Sequence, residues 1–267
     1  MRNLFDVSGK VAVVTGGSRG IGEMIARGYV ENGATVYISS RKAAVCDRIA
    51  EELSRHGGRC VSLPFDLSAM AGVEGLAAAV AEREERVDIL VNNAGASWGA
   101  GIDDYPENGW DKVMDLNVKS VFFLTQKLLP LLRAAAGAEH PARVINIASI
   151  NGIEPPAMET YAYSSSKAAV IMLTRHLAKR LAPERILVNA IAPGPFESQM
   201  MAGTLASHGE AIVEQNPLKR IGTPEDMAGV ALFLAGRASA YTTGAVIPCD
   251  GGSAELGGSG FGTGMPA

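Results

Sequence analysis

Charge is scarce in this chain. Only 19% of its 267 residues are Asp, Glu, Lys or Arg, against ~25% in ordinary soluble domains. The charge present is nearly balanced, with 24 basic and 28 acidic residues and a formal net charge of −4. No basic stripe is available to follow a phosphate backbone, which argues against nucleic acid as a partner. Long apolar runs are missing as well. Stretches such as 227–236 fall far short of the ~20 residues that cross a bilayer, so no membrane span is expected. Residues 1–10 hold no apolar core followed by a small-residue cleavage site, and a cytoplasmic location is expected. Cysteine is rare: Cys46, Cys60 and Cys249 are odd in number and widely spaced. That excludes a disulfide framework and a CxxC metal site. The histidines at 56, 140, 176 and 208 show no ligand spacing, so no metal is expected.

Apolar residues are plentiful at 47%, which excludes a disordered chain. Glycine is in excess, 31 of 267 residues, where ~7% is usual. It has no three-residue period, so collagen is excluded. The low charge predicts much buried surface, in a large core or between subunits.

Short β-branched runs alternate with longer helical patterns along the whole chain. Strands are expected at Val11–Thr15, Thr35–Ser39, Cys60–Leu63, Ile89–Asn92, Val144–Ala148, Ile186–Ile191 and Val246–Pro248. Most are continuous apolar runs, as a parallel sheet covered on both faces requires. Helices are expected at about 20–32, 43–57, 69–85, 108–136, 161–182 and 224–236. The alternation predicts a single-domain, Rossmann-like α/β fold over residues 1–267, a doubly wound parallel sheet of about seven strands with helices on both faces. Residues 194–223 form a long connection with a short helical candidate near 198–207. Connections of that length are usually substrate loops or lids. The glycine-rich segment 251–267 reads either as a terminus without fixed structure or as a tail reaching a neighbouring subunit.

The first strand runs into Thr15-Gly16-Gly17-Ser18-Arg19-Gly20-Ile21-Gly22. Glycines between a first strand and a first helix let backbone approach a pyrophosphate, whose charge the helix amides then meet. A plain tight turn is the alternative reading of the run taken alone. No Lys-Ser/Thr pair follows it, so it is not a P-loop. The second strand ends in Ser39-Ser40-Arg41-Lys42, without the acid that would accept a ribose 2′-OH. Ser40 and Arg41, with Arg19 from the other side, suit a 2′-phosphate instead, because guanidinium binds phosphate oxygens bidentately. NADP(H) is the expected cofactor.

Tyr163 and Lys167 stand i, i+4 at the start of a long helix, on one face of it. An ammonium beside a phenol favours phenolate, lowering its pKa from ~10. A phenol so tuned can exchange a proton near neutral pH. Tyr161 lies six residues before Lys167 and points elsewhere. Ser149 closes the fifth strand, where a hydroxyl can donate to a carbonyl oxygen gaining charge. Ser164, Ser165 and Ser166 compete with it, but their helical positions suit packing or solvent. A Tyr-xxx-Lys pair is weak by itself and becomes strong downstream of a strand-one glycine turn.

With the Thr-Gly-xxx-Gly-x-Gly turn, Asn92-Asn93-Ala94-Gly95 and Tyr163-xxx-Lys167, the chain resembles the short-chain dehydrogenase/reductase family over about residues 5–252. The resemblance implies that Gly16, Ser18, Arg19, Gly20, Ile21 and Gly22 cradle the cofactor phosphates. It places Asp66 and Leu67 at the adenine and Asn93, Ala94 and Gly95 along the adenosine. It sets Pro193, Gly194, Phe196 and Ser198 against the nicotinamide. Tyr163 and Lys167 also meet the cofactor, Lys167 at the nicotinamide ribose. Asn117, which as a mid-helix polar residue reads from sequence alone as solvated, matches the asparagine that holds a water behind the lysine. Ser149, Tyr163, Lys167 and Asn117 are then the candidate catalytic residues. Ser149 lies fourteen residues before Tyr163, one more than is common in the family, which bears on specificity rather than on chemistry.

Trp98, Met158, Phe196, Met200, Met201 and Leu205 are candidate apolar lining for substrate, which Trp98, Met200, Ser149 and Tyr163 would contact; methionine linings are adaptable. No Lys or Arg occurs between 194 and 219, which argues against a highly charged small substrate. Asn92–Trp110 and Pro193–Met200 are most similar to β-ketoacyl reductases, and among those to the rhamnolipid-associated type. This implies reduction of a 3-oxoacyl thioester, carried by acyl carrier protein or coenzyme A. The same chemistry on a steroid, sugar or xenobiotic ketone is the alternative. A non-catalytic dinucleotide sensor is a remote one, because both Tyr163 and Lys167 are present. The family commonly forms tetramers or dimers through the helices after strands four and five, so a homotetramer or homodimer is expected.

Overall fold

The computed structural model describes residues 3–55 and 57–254. Seven strands form one sheet: β1 (Val11–Thr15), β2 (Thr35–Ser39), β3 (Arg59–Ser62), β4 (Ile89–Asn92), β5 (Ala142–Ile147), β6 (Ile186–Pro193) and β7 (Val246–Cys249). Their order is β3-β2-β1-β4-β5-β6-β7, and every pair is parallel. The order reverses between β1 and β4, which opens a crevice at the carboxyl ends of those strands.

Among the described residues, eight α-helices connect them: α1 (Gly20–Glu31), α2 (Ala43–Leu53), α3 (Met70–Ala81), α4 (Glu107–Met114), α5 (Ser120–Ala135), α6 (Tyr161–Leu181), α7 (Ala202–Gln215) and α8 (Pro224–Ala235). Successive strand residues face opposite sides of a sheet. In β1, Ala12 and Val14 pack into a core under α1, α2 and α8. Val11 and Val13 pack into a second core under α3, α5 and α6. Both faces are dry, so the strands read as unbroken apolar runs rather than as alternating ones.

The helix expected over 108–136 is interrupted. Asp115–Lys119 forms a π-turn between α4 and α5, and Asn117 lies within it. The long connection is also more structured than its sequence suggests: the short helix expected near 198–207 is the fourteen-residue α7. α8 begins where a capping box predicts. Thr223 Oγ1 accepts from the Asp226 amide and Asp226 Oδ2 accepts from the Thr223 amide, with Pro224 at the first helical position. The opening of the glycine-rich tail is held in place: Ser253 Oγ donates to the Asp250 carbonyl and the Ala254 amide to the Asp250 carboxylate. The remainder of that tail, 255–267, lies outside the described residues.

A row of polar side chains crosses the apolar centre. Asn92 Nδ2 on β4 donates to Thr125 Oγ1 on α5 (3.1 Å) and to Asn146 Oδ1 on β5 (2.9 Å). Asn146 Nδ2 donates onward to Thr174 Oγ1 on α6 (2.9 Å). All four residues are buried. Such a network sets the register of α5 and α6 on the sheet, because a buried unpaired amide is costly. Asn146→Ala is therefore expected to lower unfolding free energy by about 1–3 kcal/mol, read from the urea midpoint. An unchanged midpoint contradicts this weight.

Candidate active site

The site begins where β1 ends. Thr15 Oγ1 accepts from the amides of Asn93 (2.9 Å) and Ala94 (3.0 Å) and donates to the Val91 carbonyl (3.3 Å). Asn93 Nδ2 returns across the seam to the carbonyls of Thr15 (2.8 Å) and Gly16 (3.3 Å). The Gly16 amide donates to the Ser39 carbonyl. The glycine turn is thus welded to β2 and to the segment after β4. At Gly16 and Gly22 a side chain has no room. Gly16 has φ +65°, and a Cβ there would lie 2.7 Å from Asn93 Nδ2. A Cβ on Gly22 would lie 2.3 Å from the Gly16 carbonyl oxygen.

This turn delivers the chain into α1, whose N-terminus has no side-chain cap. Its first amides therefore stay available to an anion. At the end of β2, the buried hydroxyls of Ser39 and Ser40, and that of Ser62 on β3, have no hydrogen-bond partner among the described residues. Arg41 beside them is exposed. A tight glycine cradle, open helix amides, orphaned hydroxyls and a free guanidinium fit a dinucleotide with a 2′-phosphate. Arg19 does not join Arg41: its guanidinium donates to Gln199 Oε1, across the crevice.

The other expected cofactor contacts divide into two groups. Asp66 is exposed after β3, its carboxylate accepting from the amide and hydroxyl of Ser68, while the Leu67 side chain is buried in the core. Ser18 is buried and Ile21 half-buried on the turn. Gly95 faces the opposite end of the crevice; a Cβ on it would lie 3.3 Å from Asn117 Oδ1 and 3.8 Å from Lys167 Nζ. Ser198 reaches the turn from the segment after β6, its Cβ 3.1 Å from where a Gly20 Cβ would stand. Pro193 ends β6 and Gly194 packs against Asp250. Phe196, expected in the crevice and in the apolar lining, is instead buried against Gly222 in the core.

The carboxyl end of β5 and the first turns of α6 bring three candidates together. Ser149 follows β5 at the N-cap of a short 3-10 turn, its Oγ accepting from the Asn151 amide. A hydrogen bond with Ser149 pulls the Tyr163 phenol down, but burial is the larger effect and raises it above its usual value. Lys167 Nζ lies 5.6 Å from the Tyr163 ring centroid and donates to the Ile147 carbonyl (2.7 Å). Burial pushes the ammonium down to about 8. Desolvation, which disfavours phenolate, sets the direction for Tyr163, against the lowering expected from the ammonium.

Asn117 is buried rather than solvated. Its Oδ1 accepts from the Ala96 amide (2.8 Å), and its Nδ2 donates to the Ala96 carbonyl and to Ser166 Oγ (2.9 Å each). Ser166 Oγ donates to the Tyr163 carbonyl (2.7 Å). Ser164 bonds to backbone carbonyls and Ser165 is exposed. Tyr161 turns its hydroxyl to Glu159 (3.0 Å), away from Lys167. The π-turn, with one residue more per turn, is what brings Asn117 inward. Thr15 and Ser166 support the site from positions with little signal in the sequence. The position of Thr15 before the first glycine was the available signal.

Met200 is 51% exposed. The Trp98 ring packs on Gly109 of α4, with Lys112 Nζ 5.0 Å above it. Leu205, by contrast, lines a recess of about 560 Å³ between the 197–199 segment, α7 and Ile221.

Residues 16–254 match the family described as Enoyl-(Acyl carrier protein) reductase. The chain is 52% identical over 255 residues to the rhamnolipids biosynthesis 3-oxoacyl-[acyl-carrier-protein] reductase of Pseudomonas aeruginosa, covering 94% of this chain and 99% of that protein. It is 37% identical to the 2-dehydro-3-deoxy-D-gluconate 5-dehydrogenase of Dickeya dadantii, covering 94% and 97%. Among solved structures, it is similar to the Pseudomonas aeruginosa RhlG/NADP active-site complex, with TM-score 0.91, 53% identity and coverage of 94% and 99%.

The buried lysine carries a pH signature. Below pH 8 it is charged in both folded and unfolded states. Between about 8 and the usual ~10.4, the unfolded chain binds more protons, so stability rises with pH. The unfolding free energy of the wild type minus that of Lys167→Met is expected to rise from pH 8 to 10, measured by urea unfolding. A flat or falling difference removes this assignment.

Proposed function

Because the chain belongs to the short-chain dehydrogenase/reductase family, we propose that it reduces a ketone to a secondary alcohol with NADPH, and that the ketone is a 3-oxoacyl thioester. The observation that carries the chemistry is the meeting of Ser149, Tyr163 and Lys167 beside the glycine turn. NADP in the similar Pseudomonas complex and the orphaned Ser40 hydroxyl support the cofactor. The 52% identity to a 3-oxoacyl reductase supports the substrate class.

In this reading the Gly16–Gly22 turn, with Ser18 and Ile21, holds the pyrophosphate. Ser40 and Arg41 hold the 2′-phosphate, and Arg19 turns from Gln199 to join them. Asp66 and Leu67 border the adenine; Asn93, Ala94 and Gly95 border the adenosine. Pro193, Gly194, Phe196 and Ser198 support the nicotinamide side, Phe196 from the core beneath. Bound there, NADPH supplies the hydride that reaches the carbonyl carbon. Tyr163 passes its proton to the carbonyl oxygen, a task suited to a phenol that burial keeps protonated at neutral pH. The Ser149 hydroxyl donates to the same oxygen as charge builds. Lys167, with its ammonium near the phenol, supports the proton's replacement and holds the nicotinamide ribose, while Asn117 fixes the backbone at Ala96. Trp98 and Met200 border the substrate entrance.

The carrier is acyl carrier protein or coenzyme A. A sugar-acid carbonyl is the second reading, supported by the 37% identical gluconate dehydrogenase; the absence of Lys and Arg from 194–218 favours the acyl substrate. We further propose residues 1–267 as one domain with 194–223 as its substrate loop, a cytoplasmic location, and a homotetramer or homodimer. Among the described residues no helix is long and apolar enough to cross a membrane. Exposed Phe122 on α5 and Met172 on α6 support assembly through those helices.

Tyr163→Phe is expected to lower kcat with acetoacetyl-CoA by at least ~100-fold and to leave NADPH binding nearly intact in fluorescence titration. Retained turnover would exclude Tyr163 as the acid. Ser40→Asp combined with Arg41→Ala is expected to move the preference from NADPH toward NADH, through loss of phosphate recognition and gain of a ribose acceptor. A constant ratio of the two kcat/KM values would exclude the 2′-phosphate assignment.

A further inference from the structure

Arg19 stands between two walls of the crevice, and close packing on either side of it fixes that place. Two residues before it, Gly17 is pressed on the end of β2: a Cβ there would lie 2.6 Å from Ile38 Cγ2. One residue after it, Gly20 meets the segment after β6, where Ser198 Cβ lies 3.1 Å from the position of a Gly20 Cβ. The backbone at Arg19 is extended, and its side chain leaves the turn on a long flexible stem. A guanidinium set there can swing toward Ser40 and Arg41 at one wall or toward Gln199 at the other. It lies at the second, with Nη1 donating to Gln199 Oε1.

Gln199 is held in a defined place. The Met201 amide donates to the Ser198 carbonyl (3.1 Å) and to Ser198 Oγ (3.2 Å), and the Leu205 amide donates to the Met201 carbonyl (2.8 Å). Residues 198–201 therefore form a closed turn that runs into α7, and this turn presents the Gln199 carboxamide to Arg19. At the other wall the pocket is prepared without Arg19. The hydroxyls of Ser40 and Ser62 are buried and unpartnered among the described residues, and Arg41 is exposed beside them. Of the side chains expected at a 2′-phosphate, Arg19 is the one engaged elsewhere.

We propose that Gln199 tunes coenzyme discrimination: it holds Arg19 back from the 2′-phosphate pocket, and a 2′-phosphate must win the guanidinium from it. The inference rests on the NADPH reading above. Phosphate oxygens accept charge-assisted bonds from a guanidinium in pairs, whereas the carboxamide offers one neutral acceptor. The exchange is therefore favourable once the phosphate is present. It still costs affinity, because Arg19 is available only in the fraction of molecules where it is off Gln199. NADH, without a 2′-phosphate, makes no such demand. Gln199 thereby weakens NADPH binding and leaves NADH binding alone.

The test is fluorescence titration of NADPH and NADH into wild type, Gln199→Ala, Arg19→Met and the double variant. Gln199 is exposed and neutral, so alanine leaves the core and the local charge unchanged. Gln199→Ala is expected to lower the NADPH Kd about threefold to tenfold while the NADH Kd stays within about twofold. Gln199→Glu, which holds the guanidinium by charge, is expected to raise the ratio of the NADPH Kd to the NADH Kd. Arg19→Met is expected to raise the NADPH Kd, and in that background Gln199→Ala is expected to change neither value. A change in the NADPH Kd below about twofold on Gln199→Ala overturns the proposal. So does an equal shift for both coenzymes, or the same gain with Arg19 removed. In a wild type that prefers NADPH, those results leave the cofactor reading standing. A wild type that binds NADH as tightly as NADPH defeats the cofactor reading, and the role of Gln199 with it.

Discussion

The hydroxyl of Thr15 holds the seam on which the rest of the structure depends. Strand order reverses between β1 and β4, and the crevice there exists because the chains leaving the two strands diverge. Without a tie they would separate freely. Thr15 Oγ1 takes two amide protons from the β4 side and gives one to Val91. Asn93 returns two bonds to the β1 side. The glycine turn is thereby pressed so close to Asn93 that only glycine fits at 16 and 22. The exclusion of side chains and the open N-terminus of α1 follow from that one seam. A phosphate-binding surface made of backbone needs both.

A second constraint runs through α6. Lys167 is buried, and burial of an ammonium is unfavourable unless it is bonded. Its bond to the Ile147 carbonyl answers that need and pins α6 to the end of β5, where Ser149 follows. Seven residues on, two turns along the same face, Thr174 meets Asn146. Helix and strand are therefore registered at two heights. The cost of the buried charge shows in its lowered pKa, and the shielding that produces it also keeps the Tyr163 phenol protonated. Stability and reactivity are in tension at this position, as is common where a site is desolvated.

Much of the fold was legible from the chain. Seven apolar runs separated by helical periods required a doubly wound parallel sheet, because a strand that is apolar on both faces must be covered on both. Several strand bounds, such as Val11–Thr15 and Thr35–Ser39, coincide with those observed. The pairing of Tyr163 with Lys167 followed from helical geometry. Less legible were features whose cause lies far along the chain. The π-turn at Asp115–Lys119 carries no composition signal, and Asn117 looks like any polar residue on a helix until Ala96 and Ser166 are seen around it. Phe196 reads as lining because it sits in a loop, yet Gly222, distant in sequence, leaves the space that buries it. α7 reads as a short helix among glycine, serine and histidine. Its actual length owes more to its ends: Asn216, at its C-terminus, is bonded to Asp250 and Ser253.

The sequence by itself determined the layer architecture, the glycine turn, the lack of an acid after β2 and the spacing that puts a phenol and an ammonium on one helical face. These depend on period and on near neighbours, which the covalent chain sets. Only the tertiary structure decided which partners the side chains meet. It sent Arg19 to Gln199, Lys167 to the Ile147 carbonyl and Asn117 into a buried turn. It also gathered Ile102, Tyr105, Trp110 and Tyr161 around one recess. Such contacts are set by sheet order and burial, which join residues tens of positions apart, and no local pattern records them. The scarcity of charge has the same double origin. Two dry sheet faces require few charges, and where the remaining charges lie is set by packing between elements distant in the chain.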